Sequence, residues 1–237
     1  MRASLFLPAM LIALAVIGVL RAADSSPPPG FTPLFDGTDL AGWRGLLKPP
    51  LDNPRIRARL KKAKIAAAQK EADQAIRRWR IENGEMTLTI GPGRSLATVK
   101  DYGDFELYAD WKIGEDGESG IGLRGCPGVQ LCDPFTKPTA PDHQAGSGGL
   151  ASNQFHPATP SKVADKPIGQ WNSLYIKMVG DRVTVKINGE LVVDNVVLEN
   201  HWDRSKPIAR TGPIEVLHHH GDLSLKNIYV REISEEK

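Results

Sequence analysis

Trp171-Asn-Ser-Leu-Tyr-Ile-Lys-Met-Val-Gly-Asp-Arg-Val-Thr-Val-Lys-Ile-Asn-Gly-Glu-Leu-Val-Val193 alternates apolar and polar residues along most of its length. Alternation of this kind puts one set of side chains on a buried sheet face and the other in solvent. Gly180-Asp181 and Asn188-Gly189 interrupt the pattern where turns are needed. Asn-Gly between β-branched residues is the strongest short-range hairpin signal. Three antiparallel strands are expected, over 171–179, 182–187 and 190–193.

The same texture extends outward in both directions. Asn83-Gly84 divides 81–90 into a second hairpin, and Phe105, Leu107, Ala109, Trp111 and Ile113 alternate with Glu106, Tyr108, Asp110 and Lys112. Shorter strands are expected at 120–124 and 129–132 around a Cys126-Pro-Gly turn, and longer ones at 212–218 and 222–233. Many short strands joined by turn residues predict an all-β sandwich or jelly roll. One stretch breaks the pattern. Residues 54–79 are rich in Arg, Lys, Ala, Gln and Glu, with Leu60, Ile65, Ala68, Ala72 and Ile76 in a thin apolar stripe. They predict a helical insertion near the N-terminus, a solvated helix lying across the sandwich.

The 237 residues carry 30 Lys and Arg against 28 Asp and Glu, so no strong field points to nucleic acid. Met1-Arg2, an apolar run from Leu5 to Leu20, and Leu20-Arg21-Ala22-Ala23 have the layout of a secretory leader. The run is shorter than the roughly 20 residues of a spanning helix. The expected organisation is a signal peptide over 1–23, a Ser/Pro-rich linker over 24–30, and one β domain over 31–237. That predicts a periplasmic or secreted protein with no stable membrane span after signal removal. In such a compartment Cys126 and Cys132 could pair as a disulfide or stay as buried thiols. Five Trp residues could serve as sugar platforms, although filling the core is their commoner role.

Strand parity assigns sides. With apolar residues inward, Asp110, Arg124, Gln130, Glu215 and His219 point outward, and Gly122 leaves room beside them. Were these strands neighbours, the polar groups would share one concave surface. His219 with Glu215 suits either a divalent cation or a base held in one tautomer. Asp133–Lys166, heavy in Pro, Gly, Ser, His and Asn, reads as a binding loop. No G-x-S-x-G, P-loop, dinucleotide fingerprint or H-E-x-x-H occurs, which argues against serine hydrolases, NTPases, dehydrogenases and zincins.

Ten segments in order carry a resemblance. They include Pro33-Leu-Phe-Asp-Gly-Thr-Asp-Leu-Ala-Gly-Trp43, Ser119-Gly-Ile-Gly-Leu-Arg-Gly125, Val129-Gln-Leu-Cys-Asp133, Gly146-Ser-Gly-Gly-Leu150, Thr211-Gly-Pro-Ile-Glu215 and Lys226-Asn-Ile-Tyr-Val-Arg231. Together they resemble the 3-keto-disaccharide hydrolase family over nearly the whole mature chain. The resemblance implies a concanavalin-like jelly roll. It also implies cleavage of 3-keto glycosides, by hydrolysis or C1–C2 elimination through a C2 carbanion or enolate, after a sugar 3-dehydrogenase has oxidised the substrate. The resemblance places the family's motif His at His219, and the chemistry it implies would use His219 and Glu215 as catalytic and metal-binding residues around a divalent ion. Arg124, Gln130, Asp133 and Asp110, placed by strand parity and the matched segments, are expected to hold the oligosaccharide or glycoside, with Arg124 as enolate stabiliser. Where many members have Glu before the Val-Gln segment, this chain has Gly128. The alternative function is a non-catalytic, lectin-like carbohydrate-binding module.

Overall fold

In the computed structural model, which describes residues 26–89, 95–136 and 143–234, every hairpin expected above forms. The strands run β1 (Thr32–Pro33), β2 (Trp43–Gly45), β3 (Arg80–Glu82), β4 (Glu85–Leu88), β5 (Leu96–Thr98), β6 (Phe105–Ile113), β7 (Glu118–Leu123), β8 (Cys126–Cys132), β9 (Asn172–Val179), β10 (Arg182–Ile187), β11 (Glu190–Val197), β12 (Ile214–His220) and β13 (Leu223–Glu232). Between β2 and β3 lie helices α1 (Pro54–Arg57) and α2 (Lys62–Ala75) and a short 3₁₀ turn, Ile76–Arg78. The proposed leader, residues 1–23, lies outside the described residues.

Two antiparallel sheets face each other. The larger is ordered β11-β10-β9-β6-β13-β4-β3, with β1 also paired to β13. The smaller is ordered β2-β5-β12-β7-β8. Inward residues of both sheets make one apolar core that includes Trp111, Phe105, Leu107, Leu123, Ile176, Val185, Ile214 and Leu225. Burial of these side chains is the main term holding the layers together. The Asn83-Gly84 and Asn188-Gly189 turns take positive φ at both residues, 54° and 77° in one and 52° and 82° in the other. This conformation matches the right-handed twist of the flanking strands. The jelly-roll sandwich with a helical insertion is therefore correct.

Two details differ from the sequence reading. The turn before β8 is Arg124-Gly125, both at positive φ, and Cys126-Pro127-Gly128 lies inside the strand. Cys126 and Cys132 consequently stand at opposite ends of one extended segment, roughly 20 Å apart at the usual rise. Both are buried, and no disulfide joins them, because none spans such a distance. The helical stretch also breaks at 58–61, between a first turn capped by the Asn53 side chain and the longer α2.

Candidate functional site

The outward face of the small sheet is built from one cross-strand row. Arg44 on β2 pairs with Ala97 on β5, Ala97 with Glu215 on β12, and Glu215 with Gly122 on β7. Small residues on either side give the Glu215 side chain its space. The insertion roofs this row. Gly45 makes the docking possible, since a Cβ there would lie 2.3 Å from the Ala72 backbone. Its N–H donates to Asp73 Oδ1 at 2.9 Å, and Gln69 Nε2 donates back to the Gly45 carbonyl at 2.8 Å. Beneath α1 and α2 remains a cleft of about 110 Å³, lined by Arg44, Leu47, Arg57, Ile65, Gln69, Ala97, Pro213 and Glu215 among others.

Glu215 is the chemically unusual group in this cleft. It is 6% exposed. Among the described residues, none donates a hydrogen bond to its carboxylate or closes an ion pair with it. Burial pushes its pKa up to about 7; the nearby Arg57 and Arg44 charges pull it down, while Asp52 adds to the rise. A buried carboxyl without a fixed partner is expensive for folding and is characteristic of functional sites. Arg57 is held by Nη1 donation to the Leu51 and Asp52 carbonyls, both at 2.7 Å. Burial lowers its pKa and Glu215 raises it, yet a guanidinium stays cationic. The cleft thus combines a carboxylate that titrates near neutrality with fixed positive charge.

Of the residues expected to converge, only Gln130 joins Glu215 on this face. Leu217, Gly120 and Gln130 form the next outward row, across β12, β7 and β8. Strand spacing and rise put Gln130 and Glu215 roughly 12 Å apart along the surface. Gln130 lines a second cleft, of about 160 Å³, with Gly149, Asn153, Pro157 and Thr159 from the long loop. That loop adds an edge to the sheet, with Gln130 N–H donating to the Gly149 carbonyl and Gly148 N–H to the Gln130 carbonyl.

The other assignments are corrected by geometry. Arg124 is 5% exposed at a positive-φ turn. Its guanidinium donates to the Gly103, Gly180 and Ala209 carbonyls and to Asp104 at 2.6 Å, so it clasps loops and does not face the cleft. Asp133 accepts N–H bonds from Asp116, Phe135 and Thr136, which fixes the start of the loop and holds its carboxyl below the ordinary range despite burial. Asp110 belongs to the other sheet and accepts from Asn227 Nδ2 at 2.7 Å. Parity fixes a face within one sheet but cannot say which sheet a strand joins. Gly122 leaves no vacant space, because a Cβ there would lie 2.5 Å from Glu215 Oε2. At Gly128 a Cβ would lie 2.7 Å from the Ile121 carbonyl, so this backbone has no room for a Glu at that position.

His219 also departs from expectation. The β12–β7 ladder slips between His218 and His220, which makes His219 the extra residue of a bulge, and it is exposed. Four residues of strand separate it from Glu215, roughly 13 Å. His220 contacts Glu118 at 3.3 Å, and buried His218 meets the Gly221 carbonyl through Nε2 at 2.8 Å. The pair Glu215 and His219 therefore does not form a metal site. Among the described residues no group of three His, Cys, Asp or Glu side chains is placed to hold an ion. The arginines around Glu215 also oppose a divalent cation there.

Arg44, Arg57 and Gln69 are the site residues the sequence reading passed over. Arg44 was detectable by parity, since it must face away from its buried neighbour Trp43. Arg57 and Gln69 reach the cleft only because the insertion folds back over the sheet.

The sequence model described as a 3-keto-α-glucoside-1,2-lyase-like domain matches residues 30–231. A 3-keto-disaccharide hydrolase from Bacteroides thetaiotaomicron is 24% identical over 204 residues, 73% of this chain and 61% of the relative. The chain thus spans about 61% of that relative's length. Among solved structures, a candidate glycosyl hydrolase from Parabacteroides distasonis superposes with a TM-score of 0.61 at 22% identity, covering 86% of this chain and 94% of that one. A second from the same organism gives a TM-score of 0.49 at 18% identity, covering 81% and 99%.

Proposed function

The chain belongs to the 3-keto-α-glucoside-1,2-lyase-like domain family, and from that premise we propose that it cleaves the glycosidic bond of 3-keto glycosides with Glu215 as the base. The observation that carries this reading is the buried Glu215 carboxyl, without a hydrogen-bond partner among the described residues, lining one cleft with Arg44 and Arg57; burial there pushes its pKa up to about 7. A ketone at C3 acidifies the C2 proton, so a base matched to neutral pH suffices to remove it. Glu215 takes that proton, and the electron pair of the C2–H bond becomes an enolate spread onto the C3 oxygen. Arg57 and Arg44 supply fixed positive charge for the developing oxyanion, the role first expected of Arg124. The enolate collapses to a C1–C2 double bond and expels the C1 substituent, which takes a proton from the Glu215 carboxylic acid. Addition of water across C1–C2 then gives net hydrolysis. The opposed carboxylic acids of ordinary glycosidases are not needed for this route.

On the same reading Gln130, with Thr159, holds hydroxyls of the neighbouring sugar. A sugar 3-dehydrogenase supplies the ketone, and the leader-like start of the chain supports action outside the cytoplasm. No helix among the described residues is long and apolar enough to cross a membrane. The test is incubation of the purified protein with a 3-keto disaccharide and with its unoxidised parent. Cleavage of the ketone alone is the expected result. Cleavage of both, or of neither, overturns the reading.

A further inference from the structure

The face of the large sheet that points away from both the core and the Glu215 cleft carries a second pattern. Tyr229, Tyr108 and Tyr175 stand in register on the adjacent strands β13, β6 and β9, and Lys186 on β10 extends the row. The Tyr108 and Tyr175 rings lie 5.0 Å apart, Tyr108 is 38% exposed, and Lys186 Nζ sits 5.8 Å from the Tyr175 ring. Four residues back along the chain, roughly 13 Å away, Trp171 is flanked by Lys112 Nζ at 4.7 Å and Lys226 Nζ at 4.1 Å.

The acidic groups on this face are already engaged. Glu106 accepts from Tyr175 Oη and Arg231, Asp110 accepts from Asn227, and Glu85 lies 3.9 Å from Lys226. Lys112, Lys177, Lys186, Lys226 and Arg231 outnumber the carboxylates of Glu85, Glu106 and Asp110 on this face and leave it positive, with Lys177 and Lys186 exposed, in a chain whose overall charge is only +2. Aromatic faces stack on the C–H faces of sugar rings, and ammonium groups pair with anionic substituents. We propose that this face is a binding surface for an acidic polysaccharide, a glycan bearing carboxylate or sulfate groups. It would hold the protein on polymer while the opposite side of the sandwich handles the cleavable substrate. Charge complementarity selects the anionic glycan over a neutral one, and the modest net charge argues against nucleic acid.

The test is affinity electrophoresis of the full chain in gels containing polygalacturonate, chondroitin sulfate, a neutral mannan or polyadenylate RNA. Retardation by either acidic glycan, weakened by salt and absent with mannan, is expected. Lys177→Glu with Lys186→Glu should bind roughly tenfold more weakly, since two exposed charges are inverted without touching the core. Its cleavage of a soluble 3-keto disaccharide should match the parent, so failure of the catalytic reading and failure of this one are read separately. No retardation, equal retardation by mannan, tighter RNA binding, or an undiminished double variant each overturns the proposal.

Discussion

Gly122 faces Glu215 directly across the β7–β12 ladder, and a Cβ at Gly122 would stand 2.5 Å from Glu215 Oε2 and 2.8 Å from Glu215 Cβ. The carboxylate is thus aimed by what its neighbour lacks. Gly122→Ala must displace both the tip and the root of the Glu215 side chain. Turnover of a 3-keto glycoside should fall on the order of a hundredfold, the usual cost of misplacing a reacting group by an ångström. Steady-state kinetics on the folded variant checks this.

Glu215 should also govern how stability and activity change with pH. Its folded pKa of about 7 lies above the ordinary 4.5, so the folded state binds the extra proton between these values. Stability therefore declines as pH rises from about 4.5 to 7 and levels off above, under the combined influence of burial, Arg57, Asp52 and Arg44. Glu215→Gln removes that penalty. It should be more stable than the parent by up to about 3 kcal/mol at pH 8 and nearly equal at pH 4. Urea melts at the two pH values test it. Activity of the parent should rise through about pH 7 as the base ionises.

Arg124 makes a contrasting prediction. Its buried guanidinium ties residues 103–104, 180 and 209 together through partly buried bonds. Arg124→Ala strands those carbonyls and the Asp104 carboxylate, and should cost about 3 kcal/mol or more of stability. The KM of the protein that remains folded should be unchanged. Thermal melting with parallel kinetics separates the two effects.

Glu199 fixes the loop that walls the Gln130 cleft. Burial pushes its pKa up, but N–H donation from Gln154, His156 and Phe155 outweighs that and holds it at about 2. The stabilisation is complete above about pH 4.5 and is lost as pH falls toward 2. Glu199→Gln should lose this acid dependence, and hydrogen exchange at 154–156 should quicken already at pH 7.

The fold was legible because alternation and Asn-Gly turns are local properties of the chain. The site was legible in part for the same reason: parity along single strands correctly put Glu215 and Gln130 on one outward face. It failed where the answer depends on long-range pairing. Asp110 obeys the same alternation but sits in the other sheet, and His219 loses its parity to a bulge. Arg124 follows a strand yet turns inward at a positive φ. Arg57 approaches Glu215 only through tertiary docking at Gly45 and Ala72; the apolar stripe marks Ala72 as an inward residue but does not say which strand it meets.

Proton exchange at C2 bears most directly on the role of Glu215. A 3-keto disaccharide held in deuterated water with the parent protein should be cleaved, and the 3-keto sugar formed by addition of water across C1–C2 should carry deuterium at C2. With Glu215→Gln, folded by circular dichroism, both cleavage and C2 deuterium should be absent. Undiminished deuterium uptake in Glu215→Gln would contradict the account, as would cleavage by the parent that leaves the C2 hydrogen in place.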